Sequence, residues 1–272
     1  MTQPTTAELP RRAWVEQVMG LPISVHVRGD AATSTCVERA VHDLFESLRR
    51  ADERFSTYRR DSEVSARRRG EDADPSADML EVLALCERAR SRTDGAFDPA
   101  LPGGFDPSGL VKGWAVERAT EPLREAATGS DWLVNAGGDI LLHAEPGRTW
   151  RVGIEDPRNP DRTLRALSLS RGAIATSGHG RRGAHITEPR TGRAADSGVL
   201  SATVLAPTLL WADVYATAAY VRGLRALPWL GRTSGARVLF VCGDGSLVST
   251  LASPTTTGPG YLGRNERAYA RP

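Results

Sequence analysis

Trp132-Leu-Val-Asn135-Ala-Gly137-Gly138-Asp139-Ile140-Leu-Leu-His143 reads as a strand, a tight turn and a returning strand. Two consecutive glycines supply the backbone freedom that such a turn needs, between two mostly apolar arms. Hairpin-joined strands run antiparallel, whereas a doubly wound parallel sheet needs a crossover, usually a helix, between its strands. Outward from this hairpin the pattern recurs. Strands are expected from Trp14 to Val18 and from Ile23 to Val27 around Met19-Gly20, and from Arg237 to Cys242 and Ser246 to Leu251 around Gly243-Asp244-Gly245. Further short strands are expected at 150–154, 164–170, 172–176 and 199–205. Helices occupy separate runs, so the fold class is α+β, with antiparallel sheets and packed helices in one domain.

The helices carry their own signals. Thr35-Cys-Val-Glu38 fits a capping box, and Val37, Val41, Leu44, Leu48 and Phe55 follow as a core-facing stripe. A second helix is expected over 76–91, a third from Gly113 with a break or kink at Pro122, and a fourth over 208–224. Residues 58–75, rich in Arg and Asp, read as a loop, and Thr93-Asp-Gly-Ala-Phe97-Asp98-Pro99 as a turn. Residues 1–12 read as a flexible tail, 13–252 as the domain and 253–272 as a loosely held extension.

Composition excludes several classes. The 272 residues include 35 basic and 33 acidic groups, a net charge of +2, which gives no basic face for nucleic acid. Cys36, Cys86 and Cys242 are far apart in apolar contexts and read as separate thiols. No apolar run reaches the roughly 20 residues of a membrane span. The first residues lack the pattern of a secretory signal, so the expected location is the cytoplasm.

One residue escapes the compositional bias. Lys112 is the only lysine, and it stands in Asp106-Pro-Ser-Gly109-Leu-Val-Lys112-Gly113. A compact ammonium beside a carboxylate and two glycines points to a phosphate- or metal-bearing ligand; chance survival of one lysine is the alternative. Asp213 and Thr217, four apart on a helix, share a face and offer hard oxygens of the kind Mg²⁺ takes, or form a solvated acid and a back-bonded threonine. His185, in Ala184-His185-Ile186-Thr-Glu188-Pro-Arg-Thr-Gly192, is either a general base or a structural histidine. Gly137-Gly138-Asp139 either allows close approach to the backbone or merely makes a hairpin, and Ala175-Thr176-Ser177-Gly178 either presents a backbone nest or small hydroxyls to an anion or is a strand end.

Taken in order, Met19-Gly20, Phe55-Ser-Thr-Tyr58, Thr93 to Pro99, Asp106-x-x-Gly-x-x-Lys112-Gly113, Asn135-Ala-Gly-Gly-Asp139, Thr176-Ser-Gly178, His185 to Gly192 and Ala212-Asp-Val-Tyr-Ala-Thr217 resemble the ApbE family of FAD:protein FMN transferases. The resemblance implies an α+β fold related to the T-fold. It also implies an Mg²⁺-dependent reaction that splits FAD at its diphosphate, attaches FMN to a Ser or Thr of an acceptor flavoprotein and releases AMP. It assigns Asp213, Thr217 and the Gly109 carbonyl to the metal. Met19, Tyr58, Ala96, Phe97, Asp98, Asp106, Lys112 and Ile186 would surround FAD, with His185 and Lys112 serving catalysis. Glu188 stands where the family usually has Asp. Hydrolysis of FAD to FMN and AMP, or flavin binding without turnover, are the alternative activities.

Overall fold

Burial alternates along Arg11–Val18 (β1) and Leu21–Arg28 (β2), as strands half-covered on one side require. They join through Met19 and Gly20, whose φ values of 57° and 70° are the left-handed pair of a two-residue hairpin turn. In this computed structural model, residues 9–71, 74–178, 186–233 and 235–251 are described, together with the backbone of 266–268. The helical layer begins with Thr35–Phe55 (α1), Glu63–Arg68 (α2) and Ala77–Arg92 (α3). Two two-residue strands follow, Ala100–Leu101 (β3) and Gly104–Phe105 (β4), then the long helix Ser108–Ala126 (α4). The hairpin around Gly137-Gly138 is Asp131–Ala136 (β5) and Asp139–His143 (β6). After it come Trp150–Asp156 (β7), Asn159–Leu169 (β8), Arg171–Gly178 (β9) and Val199–Ala206 (β10). The chain continues with Leu209–Arg222 (α5), Leu227–Arg232 (α6), Arg237–Cys242 (β11), Leu247–Ser249 (β12) and Glu266–Ala268 (β13).

Among the described residues nine strands form one sheet, in the order β1-β2-β5-β6-β9-β10-β11-β12-β13. Each pairing is antiparallel except the last, β12 with β13. The fold is α+β, as expected. Side chains alternate across the sheet. Leu141, Ala173 and Ala175 face the core shared with α1, α4 and α5, while Leu133, Leu142, Ile174, Leu239 and Val241 face the other way. That second face is covered by the β7–β8 ribbon through Val152 and Ile154. The central strands are therefore apolar on both faces, which is why they read as continuous hydrophobic runs.

Several expectations need correction. The first strand begins at Arg11, inside the expected tail, because β1 pairs with β2 from Arg11 onward. Ser34, not Thr35, caps α1: its hydroxyl accepts the Val37 N–H at 3.1 Å. The loop expected over 58–75 contains α2, capped by Ser62. The third helix starts at Ser108 rather than Gly113, so Lys112 lies inside it. Pro122 does not break that helix. Pro122 and Arg118 are both exposed, so the Arg118 carbonyl left without its usual donor can bind water.

Candidate functional site

Gly113 explains how the two central helices come together. A Cβ there would sit 2.6 Å from Leu210 Cα and 3.0 Å from the Leu209 carbonyl carbon, so α4 and α5 can cross this closely only over a glycine. From the same helix Glu117 reaches the start of α5 and accepts the Leu210 N–H at 3.0 Å. Burial raises the Glu117 pKa, and hydrogen bonds from the Leu210 and Leu209 amides and the Thr208 hydroxyl oppose that rise. Thr208 caps the next amide, Trp211 N–H, at 3.4 Å. The opening turn of α5 is thus held by α4, and the side chains one and two turns on are aimed by that clamp.

Those side chains are Asp213 and Thr217. Lys112, just before the glycine crossing, places its Nζ 3.2 Å from Asp213 Oδ2 and also pairs with Asp139 Oδ2. Asp139 is the first residue of β6, and the strand alternation that turns Leu141 inward turns it toward the helices as well. Its other oxygen, Oδ1, accepts the Thr176 N–H of β9 at 3.0 Å. Ser177, the next residue, points to the helical side and shares a 3.1 Å hydrogen bond with Thr217. Thr176 turns its hydroxyl to the opposite face, where it meets Thr203 at 2.9 Å. All three charged side chains are largely buried: Lys112 is 19% exposed, Asp139 6% and Asp213 7%. Burial acts to lower the Lys112 pKa, but the charges of Asp139 and Asp213 outweigh it and hold the ammonium above the ordinary lysine value.

A second group lies one turn back along α4. Gly109 packs on the buried ring of Phe97, whose Cε2 would stand 3.2 Å from a Cβ at that position. Ala96 is buried beside it. Asp98 closes its own turn by accepting the Ala100 N–H at 2.9 Å. Asp106 accepts the Ser108 N–H at 3.0 Å at the mouth of α4 and lies 3.4 Å from Arg68. Arg68 borders a cleft of about 400 Å³ with Glu63, Met79 and Phe105. A cleft of about 590 Å³, between Trp132, Arg171 and Arg237, lies at the other end of β9 from Ser177 and away from this chemistry.

The structure therefore brings Lys112, Asp213 and Thr217 together and sets Gly109 on Phe97. Met19 and Ile186 pack at the edge of the main core, and Tyr58 is 96% exposed. The Tyr58 N–H donates within its own loop, to Ser56 Oγ at 3.3 Å, and Thr187, next to Ile186, bridges to Ala194. His185 lies outside the described residues; the chain after it closes a small loop, with the Ala195 N–H donating to the Ile186 carbonyl at 2.8 Å. From sequence Ser177 was legible only as one of the small hydroxyls of the 175–178 segment and Asp139 only as the end of a glycine turn, while Glu117 and Arg68 had no assigned role. Asp139 follows a glycine pair and Ser177 interrupts an apolar strand, which were the available signals. Arg68 had none among so many arginines.

Two carboxylates, one buried ammonium and two hydroxyls thus meet at a junction of helix and sheet, a polar cluster of net negative formal charge set into the core. Among the described residues no three acidic, His or Cys side chains converge as a ready-made metal centre. The Asp213 carboxylate and the Thr217 hydroxyl, one turn apart on α5, are nonetheless hard oxygens of the kind a cation with few protein ligands takes. The chain belongs to the ApbE family, whose model matches residues 19–104 and 102–240. An FAD:protein FMN transferase of Haemophilus influenzae is 25% identical over 306 residues, covering 87% of this chain and 88% of that protein. The crystal structure of the ApbE protein of Thermotoga maritima superposes with a TM-score of 0.76 at 22% identity, covering 88% of this chain and 96% of that one. The flavin transferase ApbE of Vibrio cholerae gives 0.74 at 22% identity, over 89% and 96% of the two chains.

Proposed function

We propose that this chain is an FAD:protein FMN transferase, whose working domain opens with β1 at Arg11 rather than at residue 13 and extends to residue 252. The observation that carries the reading is the buried ammonium of Lys112 between carboxylates from a strand and a helix, beside the Asp213–Thr217 face, in a chain of this family. Family membership supports FAD as the substrate. Mg²⁺ and a Ser or Thr acceptor are finer proposals, supported by the hard-oxygen donor set and by the chemistry of a phosphoester bond.

Asp213, Thr217 and the Gly109 carbonyl would hold the metal, which when bound would neutralise charge on the diphosphate. The residues of the chain do the rest. Lys112 offers its ammonium to the diphosphate oxygens from a position fixed by Asp139. Phe97 and Ala96, with Met19, Tyr58, Asp98, Asp106 and Ile186, would enclose the rest of FAD. His185 would take the proton from the acceptor hydroxyl as its oxygen bonds to the FMN phosphorus. The bridging P–O bond then breaks, and AMP leaves with the electron pair. Such a reaction needs positioning and charge stabilisation more than a covalent nucleophile.

The test incubates the protein with FAD, Mg²⁺ and a flavoprotein from the same genome that is a candidate acceptor. A flavin-fluorescent band surviving denaturing electrophoresis, with AMP in equal amount, is the expected result. AMP and free FMN without the band would make it a hydrolase, and FAD bound without turnover would make it a binding protein.

A further inference from the structure

Two carboxylates and one ammonium meet in this cluster, but the carboxylates are not equivalent. Asp139 sits at the start of a sheet strand, just after the Gly137-Gly138 turn, and that turn is itself pinned by the Asn135 side chain accepting the Gly138 N–H at 2.8 Å. One Asp139 oxygen takes the Thr176 main-chain N–H and the other takes Lys112, so both are committed to protein groups. Asp213 stands opposite on α5, its Oδ2 3.2 Å from the same ammonium, one turn before the Thr217 hydroxyl. A divalent ion bound by Asp213 and Thr217 would meet a cation already resting against Asp213. Like charges at such range repel strongly where water is largely excluded.

We infer that Lys112 is the resident counter-cation of Asp213, which a divalent ion must displace, and that Asp139 is the positioning residue that retains the ammonium when it gives way. This deepens the proposed function and rests on its metal assignment. The arrangement has a consequence for binding order. Without nucleotide, the ion competes with a tethered cation and binds weakly. With a diphosphate present, Lys112 has oxygens to turn to while Asp139 keeps it in reach, so metal and nucleotide bind better together than apart. The coupling is reciprocal by linkage. Lysine suits this role: its ammonium is compact, on a flexible stem, where Arg would be held by a planar fork.

The test is direct Mn²⁺ binding without nucleotide, read by the loss of the free-ion electron paramagnetic resonance signal, on protein whose folding is checked by thermal melting. Lys112→Met should bind Mn²⁺ at least tenfold more tightly than the unaltered protein. The double variant Lys112→Met/Asp139→Asn removes one positive and one negative charge together, so the formal charge of the cluster is unchanged. It should still bind more tightly, because occupancy rather than net charge is what has changed. Asp139→Asn alone should weaken binding several-fold by leaving the ammonium on Asp213. Equal or weaker binding by the double variant overturns the inference, including when Lys112→Met shows a gain, since charge would then explain that gain. If Lys112→Met does not fold, the double variant decides alone. Asp213→Asn separates the two levels: undiminished Mn²⁺ binding in that variant refutes the metal site itself, and with it the metal assignment in the proposed reaction.

Discussion

At Lys112 a single side chain answers to two acids, and this redundancy shapes what substitution does. Removing one partner of a buried ion pair usually costs about 3–5 kcal/mol, because a charge is left stranded. Here Asp213→Asn leaves the ammonium on Asp139, so about 1–2 kcal/mol is expected in a denaturant melt. Mg²⁺-dependent AMP release from FAD should nevertheless fall about 100-fold or more, the scale of losing a group that stabilises developing charge. A variant that melts normally and keeps full activity would remove Asp213 from the site. Cys86 offers a second check at this scale. Burial, then the nearby charge of Asp98, pushes its thiol up to about 12, whereas Cys36 is exposed. A thiol reagent at pH 8 should label Cys36 quickly and Cys86 only on unfolding; rapid native labelling of Cys86 would mean that α3 lifts freely from the core. Lys112 was legible as chemistry because it breaks the arginine bias, and the Asp213–Thr217 spacing because helical geometry is local. The Asp139 pairing was not, since it depends on which face of a strand meets which helix.

Elements were legible where one period dominates and blurred where side-chain capping decides. The α1 stripe from Val37 to Phe55 is buried as its spacing required. Its cap shifted by one residue because Ser34 and Thr35 are both competent, and only the backbone angle at Ser34 makes it the cap. A helix of six residues such as α2 is too short to show periodicity above its arginines. The α4–α5 crossing depends on Gly113, whose role could not be read without knowing what lies opposite. Gly113→Ala should therefore behave unlike an ordinary helix substitution. Alanine normally favours a helix by up to about 1 kcal/mol over glycine. Here the added carbon meets Leu210 backbone at 2.6 Å, and overpacking of this kind costs about 1–3 kcal/mol. Lower stability and weaker activity together are expected, because α4 carries Lys112 and α5 carries Asp213. A stabilised, fully active variant would show that the crossing tolerates the shift. Glu117→Ala should destabilise by about 1–2 kcal/mol through the lost α5 amide contact, and Glu117→Gln, which keeps one acceptor oxygen, by less.

Over the whole molecule, the sheet separates two jobs. Its helical face carries Asp139 and Ser177 with α4 and α5 above them, and its other face is closed by the β7–β8 ribbon. The hairpins foretold an antiparallel sheet, but the sequence held no sign that β7 and β8 leave it to form a cover, because their alternation suits a ribbon and a sheet edge equally. The division predicts that stability and chemistry can be moved apart. Ile154 is 4% exposed in the ribbon-side core and belongs to no element that supplies the Lys112 cluster. Ile154→Ala removes buried methyl groups and leaves a cavity, a change that typically costs about 2–5 kcal/mol. For a chain of this size each kcal/mol lowers the melting temperature by about 2–4 °C. The variant should melt several degrees lower yet release AMP from FAD at 25 °C within about twofold of the unaltered rate, since the strand registers that place Asp139 and Ser177 lie in ladders the ribbon does not share. A collapse of activity well below the melting transition would show that the cover and the site are one cooperative unit, and that ribbon packing reaches Lys112 through the sheet.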